Sequence, residues 1–375
     1  NNTVFDENKT FIVNLSNPTN ASLSSTSAQV TIANDDEMLS STETEDLSSA
    51  ILFGKNSALR AETNFFGSIL SRNTTLLSSN SRANRGPVLS FRNVDVDWSD
   101  KSQKVNGSFS FDNLNEERTR NSSWEASVSH TKNDKGVTNT FISTAFNFST
   151  KPSESSMYGL ILGGGYSETA MTGSSVGNNI GRSISAGIYA AYEFGDGLIM
   201  DLMASKTYEF NSLDTKVGIT QVTGDYDRNS TAYSIGLQGT MRFAQSALTP
   251  KFKYTIGKSV FSTGTFDVKQ PGLSTTQQID FGTDEYFRLS FTPEFSTVLG
   301  DPNNLVRPSG FNLLTIRPKY FCEKYDYDTV RKCGQGLGLN FSNHHQIYNY
   351  DQDLTLEYDT IDDAETFSIL YKRTY

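Results

Sequence analysis

The sequence predicts an all-β fold: a transmembrane, antiparallel, up-and-down β-barrel with a helix in its pore and a partial β-sandwich segment in front. Three observations predict it. The final residues 365–375 (ETFSILYKRTY) put Phe367, Ile369, Tyr371 and Tyr375 on one face, interrupted by Arg373, and Ser368, Lys372 and Thr374 on the other. A strand apolar outside, polar inside and ending on an aromatic residue suits the closing strand of an outer-membrane barrel. Many upstream segments show the same alternation over about ten residues, longer than the five or six usual in soluble sheets. Composition points the same way: the hydrophobic share is 36%, yet there are 25 Phe and 17 Tyr, and mean hydropathy is −0.45.

Residues 1–37 read as β, with short strands at 10–15 (TFIVNL) and 28–32 (AQVTI) around a turn-rich stretch. Residues 38–86 read as a linker containing a helix at 47–70, where Ile51, Leu52, Leu59, Phe66 and Leu70 recur at three- and four-residue spacing. From residue 87 onward strands dominate. Ile184, Ala186, Ile188, Ala190 and Tyr192 share a face; Leu248, Phe252, Tyr254 and Ile256 oppose Thr249, Lys251, Lys253 and Thr255. Counting from Trp124 gives about twelve strands, the first near 122–131. The segment 87–113 supplies either a further hairpin, making fourteen, or a hairpin outside the wall. Segments 168–181, 211–228 and 261–283 read as long polar loops on one side, and 195–197 as a tight turn on the other.

The longest apolar run, near 158–164, is far shorter than the roughly 20 residues of a spanning helix. The chain opens without a signal peptide, the expectation for a fragment or a processed start. A net charge of −10 disfavours nucleic acid as a partner. Cys322 and Cys333 suit either a disulfide across a hairpin loop or two free thiols. His130, His344 and His345 lack metal spacing, and no G-x-S-x-G motif occurs, so no enzyme is expected. Arg242, Lys251, Lys253, Arg288, Arg317 and Lys319 fall on the inward phase of their strands. Such charges either set ion selectivity and grip the helix or simply neutralise one another across the lumen. Arg60 and Glu62 are the helix residues expected to meet them.

The run ENKTFIVNLSNPTNASLSSTSAQVTIANDD resembles the C-terminal third of a Calx-β domain, an immunoglobulin-like sandwich that binds Ca²⁺ through acidic loops. By position Asp6, Glu7, Asp35 and Asp36 match that family's ligands, whereas Asn34 stands at an acidic position; the alternative is a solvated acidic turn. The order of a helix and a C-terminal barrel ending in Leu370-Tyr371-Lys372-Arg373-Thr374-Tyr375 resembles a bacterial autotransporter. That resemblance implies a Gram-negative outer-membrane translocator and anchor, monomeric in the bilayer, with its N-terminal part at the cell surface and its own passenger as partner. It also implies that barrel-assembly machinery reads Tyr371 and Tyr375. The Calx-β likeness adds an adhesion or cell-communication role and Ca²⁺ as cofactor. A passive pore or receptor, or a hydrolase with a luminal site, is the alternative.

Overall fold

The computed structural model describes residues 8–17, 19–20, 22, 24–32, 38–74, 77, 86–98, 102–115, 119–195, 197–243, 246–299, 312–325, 332–345, 350–361 and 364–374. An N-terminal hairpin, β1 (Lys9–Asn14) with β2 (Ser27–Ile32), pairs Phe11 with Val30 and Val13 with Ala28. Both strands are exposed throughout. One helix follows, α1 (Ser41–Thr74).

The remaining strands form one antiparallel wall. Its first part is β3 (Gly86–Trp98), β4 (Ser102–Leu114), β5 (Arg120–Asn133), β6 (Thr138–Ser153), β7 (Ser156–Met171), β8 (Ser175–Phe194), β9 (Leu198–Val217) and β10 (Thr220–Gln238). The second part is β11 (Met241–Arg242), which prolongs β10 along β12 (Ser246–Phe261), then β15 (Thr283–Leu299), β16 (Asn312–Tyr325), β17 (Lys332–His345), β18 (Tyr350–Ile361) and β19 (Ala364–Thr374). Between β12 and β15 a hairpin, β13 (Gly264–Gln270) with β14 (Leu273–Ile279), pairs with the start of β10. The pairing order returns on itself, because β19 meets β3 at Phe367↔Trp98, Arg373↔Phe91 and Thr374↔Ser90.

Two expectations change here. The twelve-strand count from Trp124 omits β3 and β4, which pair with β19 and β5 and so belong to the wall; the described pairing order includes the hairpin of the fourteen-strand alternative. The segments 168–181 and 211–228 are strand rather than loop. Their period-2 pattern continues through Val176, Ile180, Leu213, Val217 and Val222 into tight turns, where Gly173 and Gly218 supply φ of 97° and 60°. The third segment, 261–283, is mostly the β13–β14 hairpin.

The wall is inverted relative to a soluble protein. Ile188 (63% exposed), Phe146 (54%), Phe210, Tyr233 and Phe295 face outward, while Asn147, Thr169, Asn179 and Glu209 are buried inward. No described helix is long and apolar enough to cross a membrane; an apolar belt on strands crosses one differently, with every backbone donor paired to a neighbouring strand. Outside, Phe109 packs edge-on against Trp124 at 4.9 Å, and Trp124 Nε1 donates to Thr144 Oγ1.

Candidate functional site: the helix in the lumen

Helix α1 is longer than the expected 47–70. Ser40 and Glu43 form a capping box: Glu43 Oε2 accepts from Ser40 N and Oγ, and Ser40 Oγ accepts from Glu43 N. This moves the start back six residues, a signal present in the sequence as Ser-x-x-Glu. The helix lies inside the wall against β5–β10. Its first half joins Leu47 and Ile51 to Val137, Met171, Val217, Val222, Tyr226, Phe261, Phe266 and Phe281, with Met38 and Leu39 in the same cluster. Those wall residues lie at the end where β9 turns into β10, the long-strand end. Gln277 of β14 accepts a hydrogen bond from Leu39 N. The second half of α1 packs Phe65, Phe66, Ile69 and Leu70 on Met157, Ile161, Tyr189, Ala191 and Ile199, near the 195–197 turn. So α1 runs the length of the lumen, starting at the long-strand end.

Midway, a buried charge cluster locks it. Lys55 Nζ lies 3.0 Å from Glu209 Oε1 and donates to Ser167 Oγ at 3.2 Å; its side chain is 0% exposed. Arg228 Nε pairs with Glu209 Oε2 at 2.7 Å, and Arg228 Nη1 donates to Lys55 O at 2.9 Å. Ser167 Oγ donates to Glu209 Oε1 at 2.6 Å. One carboxylate thus serves two cations and a hydroxyl, which a buried charge requires. Below it Thr207 Oγ1 donates to Glu62 Oε1 at 2.6 Å. Lower still, Asn73 Nδ2 donates to Tyr189 Oη, Tyr189 Oη to Asn147 Oδ1, and Asn121 Nδ2 to Asn73 Oδ1. Gly54 sits so close to Thr169 that any Cβ would collide with that side chain.

The expected luminal cations lie mostly on the other side. Lys251 pairs with Glu294 at 2.8 Å and Arg317 with Glu294 at 3.4 Å. Lys253 Nζ abuts Gly67 of the helix. Arg288 stands over the Phe321 ring at 5.7 Å. Lys319 shares the inward phase of β16 with Arg317, and Arg242 lies in β11. Arg60 meets Glu323 at 3.6 Å. Glu62 therefore bonds a threonine rather than a cation, and the main lock, Lys55–Glu209–Arg228, was not singled out in the sequence. The alternation marks Glu209 in β9 and Arg228 in β10 as inward-phase charges, as it does Asp201 in β9, but not which of them α1 meets.

Cys322 and Cys333 are register partners joined by a disulfide, S–S 2.09 Å. Tyr371 lies in β19, whereas Tyr375, Asp6, Glu7, Asp35 and Asp36 fall outside the described residues. Among the described residues no group of acidic, His or Cys side chains could hold a metal ion.

The autotransporter β-domain family matches residues 101–298, more than half of the chain. The chain belongs to the autotransporter β-domain family. It is accordingly an outer-membrane translocator domain of the Gram-negative type. Several solved structures are similar to the chain. The β-domain of the Bordetella autotransporter BrkA is 14% identical, covers 78% of this chain and 99% of its own, and has a TM-score of 0.45. The translocator domain of NalP from Neisseria meningitidis is 12% identical, with coverage of 84% and 96% and a TM-score of 0.46. The CymD monoaromatic hydrocarbon channel is 11% identical, with coverage of 78% and 88% and a TM-score of 0.52. No curated protein sequence matches the chain significantly.

Proposed function

We propose that this autotransporter domain is a closed fourteen-stranded, monomeric, non-enzymatic anchor. It holds an upstream, Calx-β-containing passenger at the cell surface for adhesion or cell communication. The path of α1 carries the proposal: the helix starts in the apolar cluster at the long-strand end and finishes near the 195–197 turn. With the long strands outward, everything before Met38 emerges outside the cell, and the domain boundaries at 37 and 86 follow. The exposure of Phe11, Ile12 and Val13 on both faces of the β1–β2 hairpin supports its being part of a larger sandwich. In that reading Asp6, Glu7, Asp35 and Asp36 supply part of a Ca²⁺ ligand set. In the same reading, Tyr371 and Tyr375 are recognised by barrel-assembly machinery.

The test is display. A small epitope placed ahead of Asn1, behind a secretory leader in a Gram-negative host, should be shaved from intact cells by external protease. An epitope protected in cells whose barrel is folded would refute the proposal.

A further inference from the structure

We propose that the outer face of β8, β9, β10, β12, β15 and β16 binds a phosphorylated glycolipid of the outer leaflet. Lys206, Lys258 and Lys324 hold its phosphate, and one acyl chain lies in a groove over Ala204. The assignment rests on the reading that the long-strand end faces out of the cell. The groove has a volume of about 440 Å³, within the roughly 300–1,000 Å³ of ligand sites. It forms because small residues stand among large ones in register. Ala204 has Ile188 and Tyr233 beside it, and Ala190 has Leu202, with Ile235 next in that row. Ile188, Leu202 and Tyr233 are exposed on the outward phase, so the short side chain of Ala204 leaves a furrow with apolar walls. That shape takes an alkyl chain.

A second recess of about 430 Å³ adjoins the groove toward the long-strand end, and Tyr233, Tyr254 and Ile256 line both. Tyr254 packs edge-on against Phe287 at 5.3 Å, which fixes the shared wall. The second recess is polar, lined also by Thr231, Lys258, Glu285 and Lys324. Register puts Lys206, Thr231, Lys258 and Glu285 in one row, with Lys324 opposite Phe287 one outward step below. At the spacing of neighbouring strands, Lys206 and Lys258 flank Thr231 about 10 Å apart. Lys258 Nζ lies 2.9 Å from Glu285 Oε1, both side chains more than half exposed. The Lys206 ammonium stands over the Tyr208 ring at 5.0 Å, aimed toward the long-strand end. Three cations against one carboxylate leave the recess positive, with lysine stems on apolar wall and heads at headgroup level. A phosphate meets the cations, while Glu285 and Thr231 accept from sugar hydroxyls. This mixture favours a phosphorylated sugar over a bare phosphate. The opposite flank lacks these parts: β6 from Thr138 to Thr150 and the whole of β7 contain no Lys or Arg, and Tyr166 there bonds Glu168.

The experiment uses the full 375-residue chain, folded in non-ionic detergent, titrated with lipid A (an acylated glucosamine disaccharide bisphosphate) and followed by native mass spectrometry. A single lipid A per chain should stay bound under conditions that strip phosphatidylglycerol. The double variant Lys258→Gln/Lys324→Gln should weaken retention about tenfold, the size of a lost hydrogen bond to a charged group. Removing both phosphates from the probe should reproduce that loss. Ala204→Phe fills the groove, leaves every cation and should also weaken retention, whereas Ile142→Phe on β6 should not. Heat-modifiable gel mobility reports that each variant is folded; if the double variant is not, Lys206→Gln and the dephosphorylated probe carry the test. Equal retention of lipid A by parent and folded variants would overturn the inference. So would equal retention of phosphatidylglycerol, or a dimer of the chain that Ala204→Phe abolishes and lipid A leaves intact. Binding in detergent does not depend on which end faces out, and epitope shaving reports that orientation by itself, so the two failures are read separately.

Discussion

Between β5 and β10 the inward rows are mostly buried against α1, whereas in β12, β15 and β16 inward residues such as Lys251, Glu294 and Arg317 keep partial contact with water, although one continuous wall carries both. The two halves use similar residues differently. On the packed side one carboxylate, Glu209, is shared by Lys55, Arg228 and Ser167 with almost no solvent. On the open side one carboxylate, Glu294, is shared by Lys251 and Arg317 with side chains partly wet. Burial turns the first into a lock whose members cannot be removed singly. Solvent makes the second a weak neutralisation, of the size typical of exposed pairs. Charge on the inward phase therefore does not by itself say whether a strand grips a helix or borders water; the neighbour across the lumen decides.

Breaking the lock should produce the largest effect. Glu209→Ala strands two buried cations and should cost about 3–5 kcal/mol, measured by denaturant unfolding in detergent, with the double variant Glu209→Ala/Lys55→Met recovering part of the loss. Next comes Gly54→Val, which drives a side chain into Thr169 and should cost about 1–3 kcal/mol as overpacking. Thr169→Gly in the same chain should restore stability, and no recovery would mean that the close approach is unimportant. Ser40→Ala removes the capping hydroxyl and should cost about 1 kcal/mol, visible as faster hydrogen exchange at residues 41–44 only. On the open side Asn64→Ala should change stability by less than about 0.5 kcal/mol. A loss there comparable to that of Glu209→Ala would erase the contrast between the halves.

Much of this arrangement is legible in the chain. Alternation puts Ile188 and Lys251 on opposite phases because a strand has only two faces, and a wall with one apolar face leaves no other phase. The helix is visible from its apolar spacing, and its true start from Ser40 and Glu43. The polar tips of β8, β9 and β10 mislead because Thr, Asn and Gly look like loop composition; only the alternate Val and Leu positions betray strands. The partner of Lys55 was not legible. Contacts between α1 and the wall depend on how far the helix slides along the lumen and how it rotates, and neither is encoded in the periodicity of either element.

The cluster around Met38 and Leu39 also determines how the molecule bears load. Tension applied to the chain ahead of residue 38 reaches Met38 and Leu39 first, which sit among Phe261, Phe266 and Phe281 and are tied to Gln277. Part of the force then passes sideways into β13 and β14 and from them into β10, whose ladder with β9 spans nineteen residue pairs loaded in shear. Only the remainder reaches the Lys55 lock. The mouth of the barrel thus acts as a strain relief, like the grip where a cable enters its housing.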